Sequence, residues 1–340
     1  MQQTLLSFMG KKEIYPTIFY LDNSNNDYNV YLNNNIPKKN IKIGKIKWNY
    51  SKNDLYIYLN NNNYDTYYFQ KNYTTKNISL LKSQLQKSIR QQLTDLSLNI
   101  AYQFINLDLS EFLRRILIIT LEDVLLNKYF PIITWMMVAY STKNWKPSNN
   151  DINWLLNYTK YLCTINYREK YDKLNITSII PKFKVDLYNT LIFSLELRKS
   201  YGGMMGDLKM INWFINTWHN RFTNNINIDI LNNNIIIEDL LNIIENKELN
   251  KPTTMLLEGV DFHNYPQILQ KIKSVYMTYE LEDIKKAIWE YSSKFNTRYY
   301  LNTTNKETPN DLDDKYYKIW KNIKDSKNKY SQIYLELNTL

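Results

Sequence analysis

Two stretches carry side chains of the kind that can do chemistry. In Glu258-Gly259-Val260-Asp261-Phe262-His263, Asp261 and His263 stand two residues apart. On an extended segment they point the same way, so they can share a metal ion or act as orienter and base, with Glu258 able to join them. The plainer reading is a hydrogen-bonded loop ahead of a helix beginning at Pro266. The second stretch is Arg198-Lys199-Ser200-Tyr201-Gly202-Gly203-Met204-Met205-Gly206-Asp207, where three of the chain's six glycines fall within five residues. Amides exposed at Gly202 and Gly203, flanked by Arg198 and Lys199, can hold a phosphate. The plainer reading is a tight turn between two packed helices, with the glycines in left-handed geometry and Asp207 capping the second helix. No P-loop, HExxH or GxSxG signature accompanies either stretch, and no cofactor or metal is assigned.

Recognition chemistry is denser at the start of the chain. Residues 1–9 read MQQTLLSFM. Gln2, Leu5, Phe8 and Met9 are spaced for a short helical turn that brings Leu5, Phe8 and Met9 to one side as a hydrophobic plug, while the Gln2 amide bonds main chain at a pocket's edge. On these residues the chain resembles replication and repair proteins that bind the eukaryotic-type sliding clamp, proliferating cell nuclear antigen (PCNA), through a PIP box at the N-terminus. In that family basic residues often follow, as Lys11 and Lys12 do here, and Met9 stands where a second aromatic is usual. The resemblance implies a tether to a PCNA-like clamp. The alternative is a terminal segment that docks on its own core.

Charge supplies a third signal. The 340-residue chain carries a net charge of +10 with 44% hydrophobic residues, 30 tyrosines and a single cysteine, Cys163. Between Tyr28 and Thr94 eleven Lys or Arg face only Asp54 and Asp65, so nearly all of the excess belongs to one region. Lys38, Lys39, Lys42, Lys45, Lys47 and Lys52 are the candidate contacts to nucleic acid, DNA in particular, with tyrosines at hand to stack on bases. The alternative role for such lysines is to keep a sheet edge from pairing. One cysteine excludes an internal disulfide and a multi-cysteine zinc site. The abundance of Asn, Ile, Lys and Tyr points to an AT-rich genome, and makes clusters of the scarce Gly, Arg and His worth notice.

These groups need elements to position them. Residues 13 to 73 read as short strands, Ile14–Leu21, Tyr28–Leu32, Ile41–Tyr50, Leu55–Leu59 and Thr66–Phe69, separated by Asn- and Asp-rich turns. In Lys42 to Trp48 a period of two sends Lys45 and Lys47 to one face and Ile46 and Trp48 to the other. From about residue 77 the pattern is helical: Ser79 caps a helix to Gln92, Thr94 caps the next, and Asp108 with Glu111 makes a capping box for an apolar helix to about Leu126. Leu109, Phe112, Leu113, Ile116, Leu117, Thr120 and Val124 share its broad inner face. Pro131 opens another helix, Asp151–Cys163 continues the series, and a later one runs from about Phe183 to Lys199.

The order Gln86-Lys87-Ser88-Ile89-Arg90, Asp95, Arg114-Arg115 and Leu121-Glu122-Asp123-Val124 is similar to the helical collar of RarA-like clamp-loader relatives. No Walker-type loop precedes it, so the ATPase activity of that family is not carried over. Arg114 and Arg115 with Glu122 and Asp123 read as an internal charge network.

The expected fold class is α+β, mostly α, with a small N-terminal antiparallel β module followed by a large α-helical domain. Residues 1–12 are the clamp-binding tail, 13–76 the basic β module, 77–180 one helical subdomain and 181–340 a second. No run suits a signal peptide or a membrane span, so no membrane partner is expected. The nucleus or a viral replication compartment, otherwise the cytoplasm, is the expected location. Two functions stand side by side: a non-catalytic replication or repair accessory held at the clamp, with further protein partners for the helical domain, or an enzyme on DNA or nucleotides using residues 202–207 and 258–263.

Overall fold

The structure is a computed structural model. It describes residues 17–23, 27–33, 41–47, 54–60, 65–71, 76–169, 183–246, 267–301, 303 and 314–325. Four strands, β1 (Thr17–Asp22), β2 (Asn29–Asn33), β3 (Ile41–Lys47) and β4 (Asp54–Asn60), form one sheet in the order β2-β1-β4-β3. The antiparallel expectation holds for β1 with β2 and for β3 with β4, but the middle pair, β1 with β4, is parallel. The cause is burial. Phe19, Leu21, Leu55, Ile57 and Leu59 are almost wholly buried, so the two most apolar strands take the centre and the Asn- and Lys-rich strands take the edges. The fifth expected strand is replaced by a strap. Thr66 makes an isolated bridge to Ser148, the Tyr67 amide donates to the Pro147 carbonyl at 2.8 Å, and the Tyr67 hydroxyl donates to Asn106 at 2.9 Å.

The remainder is mainly helical. α1 (Ile78–Arg90) is capped by Asn77, one turn ahead of the Leu80 amide it accepts from, in place of the expected Ser79. α2 (Thr94–Asp123) is broken at Asp108, whose backbone leaves helical geometry and whose carboxylate accepts from the Glu111 amide at 3.0 Å. That is the cap expected at this position, formed inside a longer helix. α3 (Phe130–Ser141) has Pro131 in its first turn, and α4 (Asn149–Thr164) starts with a reciprocal Ser148–Asp151 capping box. There follow β5 (Tyr167–Arg168), α5 (Asp186–Ser200), α6 (Met205–Asn224), α7 (Leu240–Asn246), α8 (Gln267–Val275), α9 (Leu281–Ile288), β6 (Tyr299–Tyr300) and α10 (Asp314–Asp325), with β5 and β6 paired in parallel.

The inner face of the sheet and α1 to α7 share one core, in which every residue of the expected inner face of α2 is buried. Polar contacts also fix the sheet to the helices. The Trp135 indole donates to the Phe19 carbonyl at 3.1 Å, and the Tyr28 hydroxyl donates to Asp151 at 2.7 Å. Burial pushes the Asp151 carboxyl up, against donors from Ser148, Tyr28 and Asn23 that pull it down. α8, α9 and α10 pack around a smaller cluster of Leu269, Ile272, Ile284, Ile288, Ile319 and Ile323 that reaches Leu80 of α1. Among the described residues, no helix is long and apolar enough to cross a membrane.

Candidate nucleic-acid interface

β3 is where sequence, strand geometry and charge meet. Simple alternation would put Lys42 on the opposite face from Lys45 and Lys47. A bulge between Lys42 and Gly44 resets the register, so that Lys42 pairs with Tyr58 and Lys45 with Tyr56 on the same outer face. All three lysines are exposed, while Ile46 packs against the core as expected. Lys45 makes a 2.6 Å ion pair with Asp54, a solvent-accessible contact that holds its ammonium above the usual range. Lys42 lies 4.6 Å above the Tyr56 ring. The bulge also needs its glycine: a Cβ on Gly44 would come within 2.9 Å of Thr142 Cγ2. Asn144 donates to the Ile43 carbonyl at 2.9 Å on that same inner side. The inner side of β3 is thus pinned to the end of α3, leaving its lysines outward.

Four tyrosines share the outer face with the lysines. Tyr20 and Tyr58 are buried with Ile18 in a cluster of their own, and Tyr56 packs against it. Tyr31, on the far edge, is 42% exposed and stacks on Tyr20 with ring centres 5.5 Å apart. Tyr56, half-exposed beneath Lys42, is therefore the accessible ring beside the lysine row. Lys38, Lys39 and Lys52 lie outside the described residues, as do Gln2, Leu5, Phe8 and Met9 and the trio Glu258, Asp261 and His263.

The glycine turn is organised inward. Gly202 and Gly203 have φ of 74° and 150°, as a left-handed helix end requires. Arg198, only 3% exposed, donates to the Gly202 carbonyl at 2.8 Å and to the Arg114 carbonyl at 3.2 Å. Its burial pushes the guanidinium down to about 10. Lys199 donates to Asn212 at 3.0 Å. α6 begins at Met205, so Asp207 sits inside its first turn and does not cap it. A side-chain carbon on Gly203 would lie 3.4 Å from the Asp207 carboxylate. Of Arg198, Lys199, Gly202 and Gly203, expected as a phosphate site, Arg198 faces main-chain carbonyls through its terminal nitrogens, and a carboxylate borders the space an anion would occupy.

The same holds for the chain's other arginines, Arg90, Arg114, Arg115, Arg168, Arg221 and Arg298. Arg90 Nε donates to the buried Asp123 at 2.5 Å, Gln86 donates to Asp123 at 3.0 Å, and Arg115 donates to Gln86. A network does form around Glu122 and Asp123, but its cation is Arg90 of α1 and not the expected Arg114 or Arg115. Arg115 and Asp123 are two helical turns apart, about 12 Å along the axis, too far to pair. Arg114 donates to the Tyr201 carbonyl at 3.2 Å, and Arg221 holds the buried Glu169 through bonds of 3.0 and 2.9 Å. Arg168 donates to the Tyr300 hydroxyl at 2.5 Å and lies over its ring.

Arg298 is fully buried and donates to the carbonyls of Ile89, Arg90, Leu162 and Ile165 at 2.6 to 3.1 Å. It closes the C-terminal ends of α1 and α4 together. Beside it Asn296 donates to the Asp123 carbonyl at 3.1 Å. Sequence reasoning missed this clip, although the scarcity of arginine was its signal. Among the described residues, no group of three or more His, Cys, Asp or Glu could hold a metal ion. Cys163 is buried, which pushes its thiol up and away from nucleophilic use. The chain matches no protein-family model, no curated protein and no solved structure.

Proposed function

We propose that the protein is a non-catalytic accessory of DNA replication or repair, held at a PCNA-like sliding clamp by Gln2, Leu5, Phe8 and Met9 and touching nucleic acid through β3. The observation that carries the nucleic-acid part is the bulge that gathers Lys42, Lys45 and Lys47 on one exposed face beside Tyr56. A row of lysines on a pinned strand presents charge to phosphates without rearrangement of the fold. The clamp would supply affinity by raising local concentration, so modest contacts at each surface suffice. The Arg198 turn, whose terminal nitrogens bond internal carbonyls, lends the alternative enzyme reading no support.

Two measurements test the proposal. Replacing Lys42, Lys45 and Lys47 by Glu should weaken DNA binding and flatten its salt dependence, by roughly 0.9 in log-log slope for every duplex phosphate that a lysine no longer neutralises. The fold should stay within about 0.5 kcal/mol of its stability, as for surface substitutions generally. An unchanged slope would remove β3 from the interface. Separately, a peptide of residues 1–12 should bind the clamp with a Kd on the order of micromolar, and Phe8→Ala should abolish measurable binding by removing the deepest anchor. A wild-type peptide that fails to bind in calorimetry would end the tether.

A further inference from the structure

The two edges of the sheet differ in how they meet an incoming strand. β3 carries three lysines and a bulge, both of which discourage further pairing. β2, with the sequence NVYLN, has no charge, no proline and an unbroken register against β1 from Ile18↔Asn33 to Asp22↔Asn29. Among the described residues it pairs with β1 alone. A cleft of about 450 Å³ lies beside it. Residues 27–32 form one wall, and because consecutive strand residues alternate between faces, a cleft meeting all of them lies along the strand's edge. The first turns of α3 and α5 form the opposite wall with Pro131, Ile132, Asp186 and Leu187.

We infer that β2 is a docking edge for an extended peptide of a partner protein, which adds to the sheet as a fifth strand. Main-chain bonds to β2 supply the affinity of such a contact, and side chains meeting the walls supply its selectivity. The space favours a single strand over a second copy of this chain, since a second copy would bring its own α3 and α5 walls into the same cleft. Val30, Leu32, Ile132 and Leu187 favour apolar side chains at alternate positions. Asp27 and Asp186 are exposed and favour basic residues between them. Lys128, in the same cleft, is bonded to Asn234 and lies 5.3 Å from the Tyr129 ring centre.

A fluorescein-labelled heptapeptide of alternating valine and lysine, titrated into the full chain and read by anisotropy, tests this directly. Its positive charge disfavours non-specific attraction to a protein of charge +10. Saturable binding is expected, and methylating the peptide amides along one strand edge should weaken it about tenfold or more, while methylating the opposite edge leaves it unchanged. Asp186→Lys, on the exposed wall, should also weaken binding about tenfold and favour a heptapeptide of alternating valine and glutamate instead. Equal binding by both methylated peptides, or no saturation below about 1 mM, would overturn the inference. So would a dimer in sedimentation that the peptide cannot dissociate, which would assign the edge to a second copy.

Discussion

Lys42, Lys45 and Lys47 on the sheet edge and Arg198, Arg221 and Arg298 in the helical body carry the same formal charge, yet they meet opposite environments. The lysines stand in water, with one ion pair to Asp54 and one ring contact among them. The arginines are turned inward onto carbonyls and a carboxylate, down to the fully buried Arg298. A guanidinium presents five donors in a fixed plane and can close several helix ends at once, whereas an ammonium is strongly hydrated and suits a solvated face. In this chain, then, the positive field is written in lysine and the scaffold in arginine. The two sets can be altered separately.

The largest effect should come from Arg298→Met. It removes a donor from each of four carbonyls at the ends of α1 and α4, of which Ile89, Arg90 and Ile165 keep a weaker set from Gln92 and Thr297, and urea unfolding should show a loss of about 2–4 kcal/mol. Arg298→Lys should recover only part of it, because one ammonium cannot reach both helix ends. A loss no greater than that of the triple lysine variant would break the contrast. Next is Gly44→Ala. The new methyl meets Thr142, whose hydroxyl is held by the Ala139 carbonyl at 2.7 Å, and overpacking of this kind costs about 1–3 kcal/mol. Adding Thr142→Ser should return part of that loss by removing the nearer methyl.

The smallest effect concerns His219, a third kind of basic group, part-buried on α6. Burial lowers its pKa below the ordinary 6.5. The unfolded chain then takes up the proton first as pH falls, so stability is full above about pH 6.5 and declines as pH drops from there through the lowered folded value. His219→Gln should make the stability profile flatter between pH 7 and 5 by a shallow but measurable slope. An identical profile would mean that the ring titrates as freely folded as unfolded.

What could be read from the sequence divides along the range of the interactions. Asp108 with Glu111, Pro131, the glycines at 202 and 203 and the inner face of α2 are local signals, and the structure realises them. So is the alternation of Lys45, Ile46 and Lys47. The parallel pairing of β1 with β4, the bulge that rescues Lys42 and the strap at Tyr67 depend on partners far along the chain, which no window of a dozen residues contains. The Asp123 network shows both cases: its members were recognisable, but the partner was set by how α1 packs on α2. Arg198 looked like a ligand-binding cation because flanking glycines commonly mark such sites. Its neighbours in space, Arg114 and Asp207, decided otherwise.

The clip at Arg298 also sets an order of assembly. Ile89 and Arg298 are 209 residues apart, and at synthesis rates of about 5–20 residues per second the interval between them is on the order of 10 to 40 s. Until then α1, and α4 once it is made, lack the Arg298 donors at their last turns, and the segment that supplies them has yet to leave the ribosome. A contact of such long range is among the slowest to form and the most exposed to trapping. A chain stopped before residue 294 should therefore be more readily cleaved by protease near residues 90 and 165 than the full chain, and for the first part of its life every newly made molecule is such a chain.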